Sequence, residues 1–316
     1  MTSREATSAA SKPARSERPL PGLTSGGGEP PGRAGGARRE GRGSAEPELV
    51  GRAVDGAGAA LAERDVEAKL AATRALRADW EAGRLALSAP VQAVVPVEQP
   101  GMPDRPVLVH PQEVPRRPVG SKAGRVALVH AVAHIELTAV NLALDAVHRF
   151  GWGWALPPAF VGDWLRVAEE EARHFSLLAA RLADWGVAYG DLPAHNGQWA
   201  MAVRTATDPL PRMALVPRVN EARGLDVTPG MVRRLQAVGD LATVGILEVI
   251  LAEEVGHVEI GSRWFASLCA GRGLEPEAEF VRLLNEHGVR VHPPVNVEAR
   301  LRSGFSRAEL ARLGLV

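Results

Sequence analysis

The sequence predicts an all-α protein built on a four-helix bundle, and three observations lead to this class. Apolar residues recur three and four positions apart in four long segments, and no segment alternates as a strand would. A glycine closes three of these segments, where it most easily adopts the left-handed conformation that ends a helix. Ser121 is a suitable N-cap for the first of them. The predicted helices cover about 122–149, 160–185, 208–223 and 240–271.

The connections between these segments predict the topology. The first two segments are joined tightly, whereas a long connection at 186–208 separates the second from the third. A bundle with one long crossover is the ferritin-like arrangement. The third segment is the least regular, because Pro217 interrupts it, Gly224 closes it and a further helical piece follows from 228 to about 239.

Composition divides the chain into four parts. Residues 1–56 are rich in Gly, Pro, Ser and Arg and almost lack large apolar side chains, so they predict a disordered tail that buries too little surface to fold. Residues 57–121 predict an N-terminal helix, ending near residue 86, and a proline-rich arm. The bundle occupies 122–271, and 272–316 predict a C-terminal helical extension.

Charge and cysteine content narrow the class of protein. The 37 basic and 37 acidic residues balance, so no global excess of charge points to nucleic acid or to a membrane. Charges or histidines interrupt the apolar runs before the roughly 20 residues of a membrane span. Cys269 is the single cysteine, which excludes an intrachain disulfide and a thiolate metal cluster. With no secretory leader in view, we expect a cytoplasmic protein without membrane partners.

Ionisable residues interrupt the apolar stripes near the middle of three predicted helices. Glu136 does so in the first, Glu171 and His174 in the second, and Glu254 and His257 in the fourth. Buried carboxylates need compensating positive charge. The interruptions are Glu and His only, without Lys or Arg, so a pair of divalent metal ions is the compensation that the pattern favours.

The spacing of these residues strengthens the interpretation. Glu171-Ala-Arg-His174 and Glu254-Val-Gly-His257 are both Glu-x-x-His, which presents both side chains on one face of a helix. Di-iron carboxylate bundles combine two such motifs with one Glu from each of the other two helices. Oxygen and nitrogen donors suit iron and manganese. We therefore predict that two Fe ions, with Mn or a mixed Mn/Fe pair as alternatives, are bound by Glu136, Glu171, His174, Glu221, Glu254 and His257.

Other polar residues in the same helices receive different assignments. His130 and His134 share a face on the flank of the first helix and are predicted to be ordinary or ligand-orienting histidines rather than a second metal pair. In the C-terminal extension, Asn296 and Arg300 are candidate substrate contacts, with plain surface packing as the alternative. Four further acids fall off the apolar stripes and are predicted to face solvent: Glu169, Glu170, Glu253 and Glu259.

The stretch from HAVAHIEL through WLRVAEEEARHFSLL and NEARGLDVTPGM to ILEVILAEEVGHVEIGSRWF resembles a bacterial family known only as ferritin-like proteins of unknown function. The resemblance spans about residues 60–270. It implies a ferritin-like fold with a di-metal carboxylate centre, and it places the ligands on the same six residues. The ligand layout is more distantly similar to that of the tRNA hydroxylase acting on a modified adenosine, and to that of bacterioferritin.

Two ferrous ions can pass two electrons together to dioxygen, so the predicted function is an oxygen-dependent oxidoreductase, most simply a hydroxylase. It would need a substrate, such as a small molecule, and an external electron donor. The alternatives are iron oxidation and storage, tRNA hydroxylation, and a non-catalytic metal-binding bundle. The balanced charge disfavours a nucleic acid as the substrate or partner. A homodimer remains an alternative to a single chain. Tyr189, the only tyrosine, lies off the stripes, which disfavours a tyrosyl radical.

Overall fold

Helices supply nearly all the regular structure of the residues that the computed structural model describes, which are 49–95, 97–114 and 117–316. Two short strands, β1 (Gly51–Arg52) and β2 (Leu85–Ala86), pair in parallel. The predicted all-α class is therefore confirmed. The helices are α1 (Ala53–Ala62), α2 (Val66–Glu81), α3 (Lys122–Phe150), α4 (Pro158–Ala183), α5 (Gly197–Arg204), α6 (Pro209–Leu215), a π-helical turn (Val216–Glu221), α7 (Ala222–Ala237), α8 (Leu241–Gly271), α9 (Pro276–Glu286), α10 (Val297–Arg302) and α11 (Arg307–Arg312).

Four long helical stretches pack around a shared interior. α3 packs against α4, α7 against α8, and α4 against α8. The short segment 151–157 joins α3 to α4, which makes these neighbours antiparallel. Ser121 accepts a hydrogen bond from the backbone N–H of Gly124 at 3.0 Å, so the predicted N-cap is present. The observed ends of α3, α4 and α8 lie within two residues of the predicted ones.

The third helical stretch differs from its prediction. It does not end at Gly224 but continues from α6 through the π-helical turn into α7, which also contains Pro229. A glycine in a helix costs only about 1 kcal/mol relative to Ala, and burial of the neighbouring Ala222 and Leu225 offsets such a cost. Pro217 lacks the N–H that a regular helix needs, and the wider turn forms around it.

The long connection before this stretch is present, and it contains α5. The predicted N-terminal helix is split into α1 and α2, because Asp65 caps a new helix by accepting a hydrogen bond from the N–H of Ala68 at 2.8 Å. α1 begins at Ala53, earlier than the predicted end of the tail at residue 56. Residues 1–48 of that predicted tail lie outside the described residues.

The C-terminal extension folds back on the long helices. The predicted amphipathic helix is α9, which packs on α6 and α8. The predicted extended stretch is followed by two short helices: α10 lies against α7 and α8, and α11 lies against α9. A buried ion pair between Arg218 and Glu309, with the atoms 2.7 Å apart, joins the π-helical turn to α11.

α3 is long and apolar enough to span a membrane by length and composition alone. Within its most apolar window, 78% of the residues are buried inside the protein. Neighbouring elements therefore cover most of the apolar side chains of α3, as they do for a core helix. No other helix in the described residues meets the same criteria.

Candidate metal centre

The six predicted ligands come from four parts of the fold and converge on its interior. Glu136 lies near the middle of α3, α4 and α8 each carry one Glu-x-x-His motif, and Glu221 is the last residue of the π-helical turn. The side chains are almost entirely withdrawn from solvent. Their exposed fractions are 3% for Glu136, 0% for Glu171, 0% for His174, 6% for Glu221, 8% for Glu254 and 0% for His257.

Glu171 lies at the centre of this group. Its Oε2 is 3.3 Å from Nδ1 of His174, and its Oε1 is 3.0 Å from Nδ1 of His257. The same Nδ1 of His174 is 3.3 Å from Oε2 of Glu136. Each oxygen of one carboxylate therefore faces a different histidine, so Glu171 and both histidines could hold metal ions together.

The distances between the ligand atoms are short enough for metal binding. Glu136, Glu171, His174 and Glu254 each offer one atom, and these atoms all lie within 4.8 Å of one another. Nδ1 of His257 lies 3.9 Å from Oε2 of Glu254, which extends the group along α8. The structure thus brings together the ligands that were predicted from separate helices.

The π-helical turn places Glu221 in the same interior. A π-helical turn inserts one residue into a helical run and re-aims the side chains beside it, and such turns are frequent at functional sites. α8 approaches this turn closely at Gly261, where a Cβ atom would lie 2.3 Å from Cβ of Pro217. Gly261 therefore permits the contact that holds the turn against α8.

For three of the carboxyl groups, burial outweighs the effect of the nearby histidines on the pKa. Oε2 of Glu221 and Oε2 of Glu254 are buried without a hydrogen-bond partner among the described residues. Burial, together with the charge of Glu171, raises the pKa of Glu221 to about 8 and that of Glu136 to about 8. The same two causes raise the pKa of Glu254 well above its usual range. Raised pKa values favour the protonated form of these acids when no metal ion is bound.

The pKa values of Glu171 and the two histidines shift in the opposite sense. Burial would raise the pKa of Glu171, but the charge of His257 and hydrogen bonds with both histidines hold it well below its ordinary value. Burial would lower the pKa of His174, but hydrogen bonds to Glu136 and Glu171 raise it to about 11. The carboxylates likewise raise the pKa of His257 well above its ordinary value. The cluster attracts positive charge.

Two acids beside the cluster were assigned wrongly from the sequence. Glu170 and Glu253 were predicted to face solvent, yet Nε2 of His257 lies 2.7 Å from Glu170 and Nε2 of His174 lies 2.7 Å from Glu253. Arg173 also donates to Glu253. A carboxylate that accepts from Nε2–H fixes the imidazole tautomer and leaves Nδ1 free to bind a metal.

The pairing is reciprocal between α4 and α8. The acid that precedes the ligand Glu on α4 orients the histidine of α8, and the corresponding acid on α8 orients the histidine of α4. The signal in the sequence was the doubled acid in both motifs, Glu170-Glu171-x-x-His174 and Glu253-Glu254-x-x-His257. Periodicity within one helix misses it, because the contact is made across two helices.

His130 and His134 support the long connection and stand outside the cluster. The backbone N–H of Gly190 donates to Nε2 of His130 at 2.9 Å. Nδ1 of His134 lies 2.9 Å from the hydroxyl of Tyr189, and its Nε2 lies 3.2 Å from the carbonyl of His195. These contacts agree with the predicted ordinary role of the two histidines.

Asn296 and Arg300 both attach the C-terminal extension to α7. Asn296 caps α10, and its backbone N–H donates to Asp226 at 2.9 Å. Arg300 binds Asp226 with two hydrogen bonds, of 3.0 and 2.7 Å. The contacts of Asn296 are those of the packing alternative, whereas Arg300 also lines a surface cavity of about 340 Å³.

A second cavity, of about 130 Å³, reaches the carboxylates of Glu136, Glu221 and Glu254. We call it the inner cavity. Its polar lining includes Gln198 and Asn220. Most of its remaining wall is apolar and includes Val132, Ala139, Val227, Met231, Leu247 and Ile250.

Sequence comparison gives the chain its family. Residues 62–311 match the family described as Protein of unknown function (DUF455). The chain belongs to this family. It is also 47% identical over 215 residues to a Haemophilus influenzae protein called an uncharacterized protein, in an alignment that covers 66% of this chain and 74% of that protein. No solved structure gives a significant match to the chain.

The family match contains the whole candidate centre. All six ligand positions, together with Glu170 and Glu253, fall between residues 62 and 311. The site is thus part of the region that defines membership of the family.

Proposed function

We propose that the six residues bind two metal ions within a ferritin-like bundle, with iron as the leading candidate. We further propose that the protein is an oxygen-dependent oxidoreductase, most simply a hydroxylase. The observation that carries this proposal is the position of Glu171 between Nδ1 of His174 and Nδ1 of His257, at 3.3 and 3.0 Å. Manganese, or one ion of each metal, is compatible with the same donors.

The donor set fits two divalent ions in charge. The four carboxylates of Glu136, Glu171, Glu221 and Glu254 carry four negative charges when ionised, and two divalent cations carry four positive charges. No Lys or Arg side chain is described as paired with these four carboxylates in residues 49–95, 97–114 and 117–316. The unpartnered oxygens of Glu221 and Glu254 are the atoms that such cations would satisfy.

When bound, a pair of ferrous ions supplies electrons to dioxygen and so the oxidising power for a carbon–hydrogen bond. The chain's own residues prepare the site for that chemistry. Glu170 and Glu253 hold the Nε2–H groups of the two histidines, which keeps each Nδ1 turned toward the carboxylates. The mostly apolar wall of the inner cavity leaves few groups beside the cluster for water to bind.

The inner cavity favours a catalytic role over a non-catalytic metal-binding bundle. A purely structural ion needs no space beside its ligands, whereas three of the proposed ligands face a cavity of about 130 Å³. A substrate could enter this space, and the electrons would come from an external donor. Iron storage and tRNA hydroxylation share the donor set, but no contact among the described residues favours either one.

Metal content tests the proposal. Protein freed of metal, reloaded anaerobically with Fe(II) and desalted should retain two ions per chain by elemental analysis, and it should consume dioxygen on exposure to air. Glu171→Gln should lower retention below one ion, because it weakens the carboxylate between both histidines. Glu248→Gln, on the exposed face of the same helix as Glu254, is the matched control and should retain two.

Full retention of two ions by Glu171→Gln would contradict the assigned ligands. Failure of the unaltered protein to retain any transition metal would contradict the proposal as a whole. Retention of two ions without consumption of dioxygen would leave a metal-binding bundle and remove the oxidoreductase.

A further inference from the structure

The inner cavity adjoins the surface cavity of about 340 Å³ that Arg300 lines, which we call the vestibule. The two share four lining residues: Ile135, Gln198, Asn220 and Arg223. Ile135 is 39% exposed, so the shared wall reaches the surface of the protein. The two cavities thus form a route from solvent to the carboxylates of the candidate centre.

The lining of the vestibule is basic. Arg223, Arg290 and Arg300 line it together with His195 and His292, and no Asp or Glu among the described residues does so. The acid paired with Arg300 is Asp226, whose side chain is fully buried beneath the wall. Three guanidinium groups against one buried carboxylate leave a net positive charge at this site, in a chain whose overall charge is zero.

Two of the arginines have unused capacity to bind an anion. Nη1 of Arg300 is buried and has no hydrogen-bond partner in the part of the chain that the structure describes, although the residue is only 1% exposed. A buried guanidinium N–H without an acceptor is costly, and an anionic oxygen would satisfy it. For Arg290, which is exposed, no ion pair is described within residues 49–95, 97–114 and 117–316.

Arg223 is held at the junction between the cavities. It donates to the carbonyls of His292 and Pro294 at 2.6 and 2.9 Å, which fastens the segment before α10 over α7. The C-terminal extension therefore builds one wall of the vestibule.

The inner cavity limits the size and polarity of the chemical group that can bind beyond the vestibule. An engineered apolar cavity of about 150 Å³ holds one benzene molecule, so 130 Å³ admits roughly six carbon atoms. Within the part of the chain that the structure describes, no Phe, Tyr or Trp lines either cavity. Recognition of an unstacked nucleobase usually relies on such rings.

We propose that the substrate is a small amphiphilic anion, with a carboxylate or phosphate head bound by Arg290 and Arg300 in the vestibule and a hydrocarbon part of about six carbons in the inner cavity. This substrate class rests on the proposed function, because the hydrocarbon part would lie beside Glu136, Glu221 and Glu254. Binding of the head group does not depend on bound metal.

The test measures binding of hexanoate, hexyl phosphate and hexan-1-ol by calorimetry, with metal-free and with metal-loaded protein. At least one of the two anions should bind about tenfold or more tightly than hexan-1-ol, because a charge-assisted hydrogen bond contributes more than a neutral one. The better of the two identifies the head group. Acetate and inorganic phosphate, which lack the hydrocarbon part, should bind more weakly than the corresponding hexyl compounds.

Variants locate the two ends of the ligand. Arg290→Gln should weaken binding of the anion by about tenfold, whereas Arg302→Gln, an exposed arginine of α10 outside the vestibule, should leave it unchanged. Val227→Phe, which narrows the inner cavity, should reduce binding of the hexyl anion to the level of the head group alone.

Equal binding of hexan-1-ol and both anions, or equal effects of Arg290→Gln and Arg302→Gln, would overturn the inference. Displacement of a bound hexyl anion by a short RNA at equal or lower concentration would also overturn it in favour of a nucleic acid. Two retained metal ions without binding of any hexyl anion would reject this substrate class and leave the proposed function standing. Binding of a hexyl anion by a protein that retains no metal would support the vestibule and reject the proposed function.

Discussion

The interior contains two kinds of buried charge that differ in how they are compensated. Asp145 is paired with Arg149 and Arg212, and Asp226 is paired with Arg300. The acids of the candidate centre instead face one another and two imidazoles. The chain therefore uses arginine where buried charge joins helices, and it omits arginine where we propose that a cation arrives from solution.

The largest effect should come from breaking an arginine-compensated group. Asp145→Asn keeps the shape of the side chain but leaves two buried guanidinium groups without a carboxylate, so it should lower the free energy of unfolding by about 3–5 kcal/mol. Urea unfolding of metal-free protein measures this change. Asp184→Asn removes the acid of an exposed pair with Arg181 and should cost about 0–1 kcal/mol. Equal losses in the two variants would remove the distinction between buried and exposed pairs.

A buried cation without a carboxylate partner sharpens the comparison. Lys69 donates to the carbonyl of Leu61 and to Oδ1 of Asn141, and burial lowers its pKa to about 8, partly opposed by the charge of Glu63. The folded protein then loses this proton before the unfolded chain does. Stability should therefore rise by up to about 3 kcal/mol between pH 8 and pH 10.5, relative to a Lys69→Met variant.

The measurement is the difference in unfolding free energy between the unaltered protein and Lys69→Met across this pH range. Taking the difference cancels the contributions of other groups that titrate there. Lys122→Met, at the exposed start of α3, should leave the pH profile unchanged. A pH-independent difference for Lys69→Met would show that the ammonium group is not desolvated.

The centre should respond to substitution differently from the arginine pairs. Burial and the charge of Glu171 raise the pKa of Glu254, which favours its neutral form when no metal is bound. The neutral Glu254→Gln should therefore change metal-free stability by less than about 1 kcal/mol. The unaltered protein should gain about 2.7 kcal/mol at a free metal concentration of 100 times Kd, and the variant should gain much less at that concentration. Urea unfolding with and without Mn(II) measures both values. A large loss of metal-free stability would place Glu254 with the structural acids.

The smallest effect should come from the acids that orient the histidines. Glu170→Gln and Glu253→Gln each keep a hydrogen-bond acceptor but remove its charge. Each variant should bind metal about 10- to 100-fold more weakly. Each should still retain both ions at saturation. Calorimetric titration with Mn(II) measures the affinities. Glu259→Gln, whose acid pairs with Arg263 on the outer side of α8, is the control. Loss of an ion from the saturated protein would make Glu170 or Glu253 a ligand instead.

Much of the helical framework could be predicted, because α3, α4 and α8 carry long apolar stripes with few interruptions. The same stripes identified Glu136 and the two Glu-x-x-His motifs, whereas Glu221 was inferred from the need for one Glu on the irregular third helix. The course of the third helix was missed at Gly224, because glycine was interpreted as a helix end, whereas burial of the neighbouring Ala222 and Leu225 lets the helix continue. Glu170 and Glu253 were missed because their partners lie on another helix, and packing between helices is invisible to the pattern of one helix alone.

The exchange of orienting acids between α4 and α8 has a consequence for assembly. The hairpin of α3 and α4 contains His174 but not the acid that orients it, and the hairpin of α7 and α8 lacks the acid for His257. Neither hairpin alone contains a complete set of oriented metal ligands. Metal binding would therefore show that the two hairpins have packed in the correct register. A chain cleaved in the long connection should bind the ions again only after its two fragments reassociate.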